Sequence, residues 1–137
     1  MNEDNKRENI REEIDRAMDA IKAAQLLFEN GFVRDAISKL YYSLLYSVRA
    51  LLLAKGLEAK SHEGALRLFG RHFVKSGPFE PKDSHIFSKL MKYREEADYN
   101  PSYPFTREDF VEFKNEAEIL IQKIATFLQG EYYLKIT

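Results

Sequence analysis

The sequence predicts an all-α fold, an up-and-down bundle of four to five antiparallel helices in one domain that spans residues 1–137. Three observations predict it: apolar residues recur at intervals of three and four along nearly the whole chain, no segment alternates like a β-strand, and no linker or repeat interrupts the pattern. The length of 137 residues, with 45% hydrophobic and 31% charged residues, is typical of one soluble globular domain.

The first two helices are predicted to form a hairpin. Apolar residues follow helical spacing over residues 10–28, and Gly31, after an asparagine, offers a left-handed stop. The second helix is predicted from about Val33 to Lys55, where a wide apolar face precedes Gly56. Because so few residues separate the two helices, they must run antiparallel.

Three further helices are predicted from the same spacing. The third extends from near Ser61 to Lys75, and the fourth begins with Asp83 or Ser84 as its N-cap. The fifth opens at Thr106, with Asp109 placed close to the spacing of a capping box, and ends at residue 130.

Composition excludes several classes of protein and site. The chain has no cysteine, which excludes disulfide scaffolds, thiol nucleophiles and cysteine-ligated zinc. The N-terminal residues lack an apolar signal region and no 18 apolar residues follow one another. We therefore expect a cytoplasmic protein without a membrane span.

Other familiar chemical motifs are missing as well. The six glycines do not match a phosphate-binding loop, and no serine lies in a nucleophile elbow. The three histidines are 10 and 13 residues apart, which does not suit metal ligands on a helix. Neither a metal nor a cofactor is predicted.

Positive charge is concentrated in one segment. Residues 60–94 contain eight basic and three acidic residues, whereas residues 95–137 contain four basic and nine acidic ones. Arg67, Arg71 and Lys75 are spaced by four residues and form a basic ridge, with Lys60 and His62 at its entrance. The basic ridge could bind a nucleic-acid backbone or an acidic protein surface, or simply be a solvated face.

Arg94 lies on the inward stripe of the fourth helix. Positions 87, 90, 91, 94 and 98 share one face, so that Arg94 and Asp98 should point toward the packed side. A buried guanidinium needs partners, and Asp98, Tyr42 and Tyr46 are the candidates. The structural alternative is an ion pair of Arg94 with Asp98 that pins the end of the helix.

The stretch from Phe32 to Tyr99 contains a series of motifs in this order: a paired Tyr-Tyr, "RALLL-x-KG", "SH-x-G", "LFG-x-x-FVK-x-G" and "R-x-x-ADY". With these motifs it resembles the HEPN superfamily, in particular its small stand-alone prokaryotic branch. It implies a HEPN-like helical bundle, commonly a homodimer and often paired with a minimal nucleotidyltransferase in toxin–antitoxin systems. Tyr42 and Tyr46, which lie beside the core stripe of the second helix, also favour a homodimer.

Better-known members of the superfamily are metal-independent ribonucleases, in which an arginine is followed by histidine after four to six residues. Two such motifs meet across a dimer. Arg94 matches the arginine, but four intervening residues lead to Tyr99 and six lead to Pro101, so the histidine is missing. A tyrosine ordinarily ionises near pH 10 and is a poor proton acceptor at neutral pH.

The first expectation is therefore a non-catalytic component that binds RNA, a nucleotide or a partner nucleotidyltransferase. In such a component, Arg94, Asp98 and Tyr99 form a binding or structural site, and the basic ridge contributes positive electrostatic potential. The alternative is a ribonuclease toxin with a degenerate active site that uses Arg94 with Tyr99 or His62. A third possibility is a purely structural partner of a nucleotidyltransferase that does not contact nucleic acid.

Overall fold

The computed structural model describes residues 2–131, 133 and 134, and it confirms the predicted all-α fold. The helices are α1 (Glu3–Glu29), α2 (Val33–Ala54), α3 (His62–Phe69), α4 (Pro81–Tyr99) and α5 (Arg107–Gly130). Within this described part of the chain, no helix combines the length and the apolar character that crossing a bilayer requires.

The predicted hairpin of α1 and α2 is confirmed. Gly31 adopts a φ of 85°, a left-handed conformation that glycine reaches without strain. The backbone N–H of Phe32 then donates to the carbonyl of Leu27 at 2.8 Å, which closes the turn. This tight connection lays α1 along α2.

The central helix of the bundle is α2, which packs against each of the other four helices. It is buried around most of its circumference, which explains its wide apolar face. Ser43 and Ser47 are fully buried there, and their hydroxyls donate to the carbonyls of Leu40 at 2.6 Å and Ser43 at 2.9 Å. The two buried serine hydroxyls are thus satisfied within α2 itself.

The third helix differs from its prediction because it changes type. The α-helical part ends at Phe69, and Gly70–Val74 form a π-helical turn. There the N–H of Lys75 donates to the carbonyl of Gly70 at 2.9 Å, an i to i+5 bond. Because a π-turn holds more residues than an α-turn, the basic ridge that crosses it does not keep the one-turn spacing predicted for a continuous α-helix.

The start of α4 also corrects a prediction. Its N-cap is Glu80, not Asp83 or Ser84. Pro81 occupies the first helical position, where its missing N–H costs nothing. Asp83 therefore becomes the third helical residue, and its carboxylate accepts from the backbone N–H of Glu80 at 2.8 Å. At α5, the predicted capping box of Thr106 is confirmed.

Candidate functional site

The stripe of α4 carries Arg94 into the packed side of the bundle. Phe87, Leu90 and Met91 are buried on this stripe, as their spacing predicted. Arg94 continues it and is only 8% exposed. A guanidinium at this depth must find partners, because burying an unpaired charge costs several kcal/mol.

The guanidinium finds its partners on three helices. Nη2 of Arg94 lies 3.1 Å from Nδ1 of His62, and Nη1 lies 3.6 Å from Oδ2 of Asp98. The guanidinium carbon is 5.3 Å from the ring centre of Tyr41 and 6.0 Å from that of Tyr42, within cation–π range. We refer to these five residues as the Arg94 site.

Tyr46, the other partner suggested by the sequence, points to a different cation. Its ring centre lies 4.1 Å from the guanidinium carbon of Arg16 on α1. Of the two tyrosines beside the core stripe, Tyr42 therefore belongs to the Arg94 site and Tyr46 to the contact of α2 with α1.

His62 reaches the site from the first position of α3. Ser61 is the N-cap, and its hydroxyl accepts from the N–H of Gly64 at 2.9 Å. A Cβ at Gly64 would lie only 2.9 Å from that hydroxyl oxygen, so glycine lets the turn close. The "SH-x-G" motif is thus a compact helix start that aims its imidazole at Arg94.

The electrostatics of the site favour a neutral imidazole beside a charged guanidinium. Burial, followed by the positive charges of Arg94 and Arg49, lowers the pKa of His62 below its ordinary value. Burial also acts to lower the pKa of Arg94, but Tyr42, Tyr41 and Asp98 outweigh it and raise that pKa. Because a guanidinium can only donate, Nδ1 of His62 accepts and its proton resides on Nε2.

Two hydrogen-bond donors at the site are buried without an acceptor among the described residues. They are Nε of Arg94 and the hydroxyl of Tyr41. Burial raises the pKa of the Tyr41 phenol, so its hydroxyl stays protonated. The hydroxyl can therefore donate a hydrogen bond. The Arg94 site therefore has unused capacity to donate hydrogen bonds.

An open depression of about 440 Å³ lies beside Arg94 at the end of α4. Its other lining residues are Glu95, Glu96, Tyr99 and Asn100. Tyr99 is 76% exposed on this rim, whereas Asp98 reaches the guanidinium. Arg94 is thus buried as predicted. Asp98, which was predicted to point toward the packed side, is instead exposed and touches the guanidinium from the helix end, and Tyr99 is exposed as well.

The structure separates His62 from the basic ridge. Arg67, Arg71, Lys75 and Lys60 are all exposed, whereas His62 is half-buried against Arg94. Helical rise places the far part of the ridge more than about 10 Å along the axis from His62. The ridge is therefore a surface next to the Arg94 site and not a part of it.

Arg34 is a residue that the sequence analysis missed. From the first turn of α2, its Nη1 donates to the carbonyls of Glu96, Ala97 and Asn100 at 3.2, 3.3 and 2.8 Å. Its Nη2 donates to the carbonyls at positions 101 and 103, at 3.1 and 2.7 Å. One side chain thus holds the end of α4, which carries the Arg94 site. The only signal in the sequence was the proline loop, whose carbonyls need a donor.

Among the described residues, no three histidine or carboxylate side chains come together as metal ligands would.

Comparisons with known proteins identify a family that matches this architecture. The family model described as "HEPN domain" matches residues 10–127, which include parts of all five helices. This match confirms the resemblance that the sequence motifs indicated.

Curated relatives match over most of their length. A Methanocaldococcus jannaschii protein named "putative toxin" is 37% identical over 123 residues, which cover 90% of this chain and 91% of that protein. A Thermotoga maritima protein named "UPF0332 protein" is 32% identical over 114 residues, or 83% of this chain and 86% of that protein. A second M. jannaschii "putative toxin" is 29% identical over 122 residues, or 89% and 83% of the two chains.

Proposed function

The chain belongs to the HEPN domain family, and we propose that it is a toxin-type member that cleaves RNA at the pair of Arg94 and His62 without a metal ion. The observation that carries the proposal is the 3.1 Å contact between the guanidinium and the imidazole. The histidine absent after Arg94 made a binding role the first expectation. His62 makes the ribonuclease the better supported function, because an imidazole reaches Arg94 from another helix.

The chemistry assigned to the pair is transesterification by the RNA itself. His62 takes the proton of a ribose 2′-hydroxyl, and the 2′-oxygen attacks the neighbouring phosphorus. The bond from phosphorus to the 5′-oxygen breaks, and that oxygen takes a proton from solvent water, while the imidazolium of His62 later returns the first proton to the solvent. The products are a 2′,3′-cyclic phosphate and a 5′-hydroxyl. Arg94 stabilises the charge that develops on the phosphoryl oxygens.

The resting contact also suggests how substrate starts the reaction. Nδ1 of His62 accepts from Arg94, so its lone pair is occupied before RNA binds. A phosphate is a stronger acceptor for a guanidinium than a neutral imidazole is. When the phosphate takes over Nη2 of Arg94, the lone pair of Nδ1 becomes free to accept the 2′-hydroxyl proton.

The resemblance and the names of the relatives indicate the cellular role and the partner that this proposal includes. Two M. jannaschii relatives carry the name "putative toxin". A toxin of this family would act in the cytoplasm as a homodimer, with a minimal nucleotidyltransferase as its partner. The basic ridge is the surface on which RNA would bind, and the exposed rim around Tyr99 is the surface left for that partner.

The test is cleavage of a mixed RNA by the purified full-length protein in excess chelator. We expect fragments that end in 2′,3′-cyclic phosphate. Arg94→Ala and His62→Ala should each slow cleavage by about 10²- to 10⁴-fold. Tyr99→Phe is the matched control and should retain activity, because the proposal assigns Tyr99 no proton transfer. Loss of activity in Tyr99→Phe but not in His62→Ala would overturn the assignment of the base.

A non-catalytic binding component is the second candidate. It is favoured by the 8% exposure of Arg94 and by the occupied Nδ1 of His62, because a structural pair would look the same. RNA that stays intact but is retarded in a gel would support this candidate. Intact RNA without retardation at low salt would favour a purely structural partner of a nucleotidyltransferase.

A further inference from the structure

Arg49 is a half-buried cation of α2 that lies outside the Arg94 site. Its side chain has neither a hydrogen bond nor an ion pair with any of the described residues. We propose that Arg49 binds a second phosphate of the RNA, next to the phosphate that reacts at Arg94. The proposal rests on RNA binding at the Arg94 site, and it adds a requirement that the substrate extend beyond the reacting phosphate.

A carboxylate near Arg49 is already bound to another arginine. Glu13 lines the same cavity as Arg49, but its Oε1 accepts from Nη1 of Arg16 at 2.9 Å. The guanidinium carbon of Arg16 also lies 4.1 Å from the ring centre of Tyr46, and this contact helps to fix Arg16 beside the carboxylate. Arg16 therefore takes the carboxylate, and Arg49 is left without a partner.

Space for an anion lies beside Arg49. The cavity that it lines has a volume of about 320 Å³, and Lys60 contributes a second cation to the wall. Lys60 is exposed and, like Arg49, forms no ion pair within the described part of the chain. A guanidinium cannot lose its proton, and its planar N–H donors match the oxygens of a phosphate. A phosphate in this cavity would thus meet two cations that no ion pair within the protein neutralises.

The position of Arg49 on α2 relates it to the Arg94 site. Tyr42, Tyr46 and Arg49 follow one another at intervals of four and three residues, so they form one line on the surface of α2. The ring centre of Tyr42 is 6.0 Å from that of His62, and it is also 6.0 Å from the guanidinium carbon of Arg94. Helical rise places Arg49 about 10 Å along the axis from Tyr42. Arg49 is therefore two helical turns from a residue of the Arg94 site, on the same side of α2.

Electrostatics agree with this position. After burial and Arg94, the positive charge of Arg49 is the next cause that lowers the pKa of His62. The charge of Arg49 is therefore felt at the imidazole that the proposed reaction uses.

RNA is the favoured source of the anion. Every nucleotide of a strand carries one negative charge, so a strand with one phosphate at Arg94 presents another a short step away. A carboxylate of a partner protein could also pair with Arg49, but it would require a partner that covers this side of α2. RNA bound at Arg94 supplies the second phosphate without any further partner.

The experiment measures the binding of dinucleotides that cannot be cleaved. The probes are uridylyl-uridine with a 2′-O-methyl group on the first ribose, and the same compound with a phosphate added at its 5′ or its 3′ end. We expect one of the two phosphorylated compounds to bind the full-length protein about tenfold more tightly than the parent, because hydrogen bonds from a charged donor are gained. Isothermal titration calorimetry measures the three affinities. Equal affinity of all three compounds would overturn the subsite.

Matched variants assign this gain in affinity to Arg49. Arg49→Gln should remove the gain and leave the binding of the parent dinucleotide unchanged, whereas Arg7→Gln, at an exposed position of α1, should keep the gain. Thermal unfolding verifies that both variants are folded. A gain that survives in Arg49→Gln would reject the proposal and leave Arg49 as a site for a carboxylate of a protein partner.

The pKa of His62 checks the position of Arg49 without any ligand. Arg49→Gln should raise this pKa, since it removes one of the positive charges that lower it. NMR titration of the imidazole measures the change. An unaltered pKa would place Arg49 too far from the Arg94 site for one strand to contact both, which also rejects the subsite.

This outcome is separable from the test of RNA cleavage. A gain that depends on Arg49, together with RNA that stays intact, supports the phosphate subsite and rejects the ribonuclease. Cleavage that depends on His62, with no gain from the added phosphate and a KM that Arg49→Gln leaves unchanged, supports the ribonuclease and rejects the subsite.

Discussion

At the scale of single residues, the contact of His62 with Arg94 joins a neutral acceptor to a permanent cation. The hydrogen bond to His62 at 3.1 Å is shorter than the approach to Asp98 at 3.6 Å. Asp98 supplies the opposite charge, while His62 supplies the better placed acceptor. These contacts stabilise the guanidinium of Arg94, but the carboxylate does not fully neutralise its positive charge. The guanidinium can therefore still attract a phosphate.

The lowered pKa of His62 gives a prediction for Arg94→Gln. Burial is the largest cause of the shift and Arg94 the next, so this variant should raise the pKa of His62 toward its ordinary value without reaching it. NMR titration of the imidazole measures this directly. Arg71→Gln, which removes an exposed arginine from the basic ridge, is the control and should leave the pKa of His62 unchanged. An equal response to both variants would contradict the assigned contact.

The lowered pKa of His62 also makes the stability of the folded protein depend on pH. The pKa of His62 is lower in the folded than in the unfolded protein, so the unfolded state binds more protons as pH falls below the ordinary value of 6.5. The contribution of the neutral imidazole to stability is present above that pH and is lost as pH falls through the folded-state pKa. His62→Asn should therefore weaken the decrease in Tm that accompanies acidification.

The meeting of His62 and Arg94 could not be predicted from helical periodicity. The spacing in α4 correctly indicated that Arg94 points inward, because periodicity reports direction around one helix. It does not report which other helix lies opposite. His62 is 32 residues away in sequence, and its approach depends on how α3 packs across α2 and α4. The sequence analysis therefore named His62 only as one of two alternative partners of Arg94 for catalysis, and spacing could not choose between His62 and Tyr99.

At the scale of the elements, Arg34 stabilises the end of α4. The last carbonyls of a helix have no partner within it, and Arg34 donates to five carbonyls between Glu96 and Tyr103. Its guanidinium carbon also lies 5.5 Å from the ring centre of Phe105. This side chain therefore joins the first turn of α2 to the helix end that positions Asp98 and Tyr99.

Replacing Arg34 by alanine should loosen this helix end. We expect Arg34→Ala to lower the free energy of unfolding by about 2 kcal/mol, because several bonds from a charged donor are lost together. Hydrogen exchange should accelerate first in residues 97–103 and not in α1. Lys39→Ala, at an exposed position of α2, is the control and should change neither quantity. Uniform acceleration throughout the protein would contradict a local role.

The positions of the helices were more predictable than their ends. Apolar spacing indicated the inward face of every helix, and the capping box at Thr106 was recognisable from its residue types. The π-turn was not, because an i to i+5 bond has no residue signature in the sequence. The N-cap of α4 was placed too late, since Asp83 is a good capping residue both at the N-cap and at the third helical position.

At the scale of the whole molecule, charge is divided between two regions of the fold. The exposed basic ridge lies on α3 and the π-turn, whereas Glu95 and Glu96 border the depression at the end of α4. A polyanion is attracted to the first surface and repelled by the second. RNA that reaches Arg94 is therefore expected to approach along α3, past Lys60, and not across the rim at Tyr99.

This direction of approach predicts which cations control the salt dependence of RNA binding. If Arg67 and Arg71 each contact a phosphate, replacing both by glutamine should reduce the slope of log affinity against log salt by about 1.4 for single-stranded RNA. Gel retardation at several salt concentrations measures that slope, in a His62→Ala background so that the RNA stays intact. The charge-matched control replaces Lys22 and Lys39, exposed on α1 and α2, and should leave the slope unchanged. Equal slopes for both double variants would mean that net charge, and not the basic ridge, governs binding, and the approach along α3 would have to be abandoned.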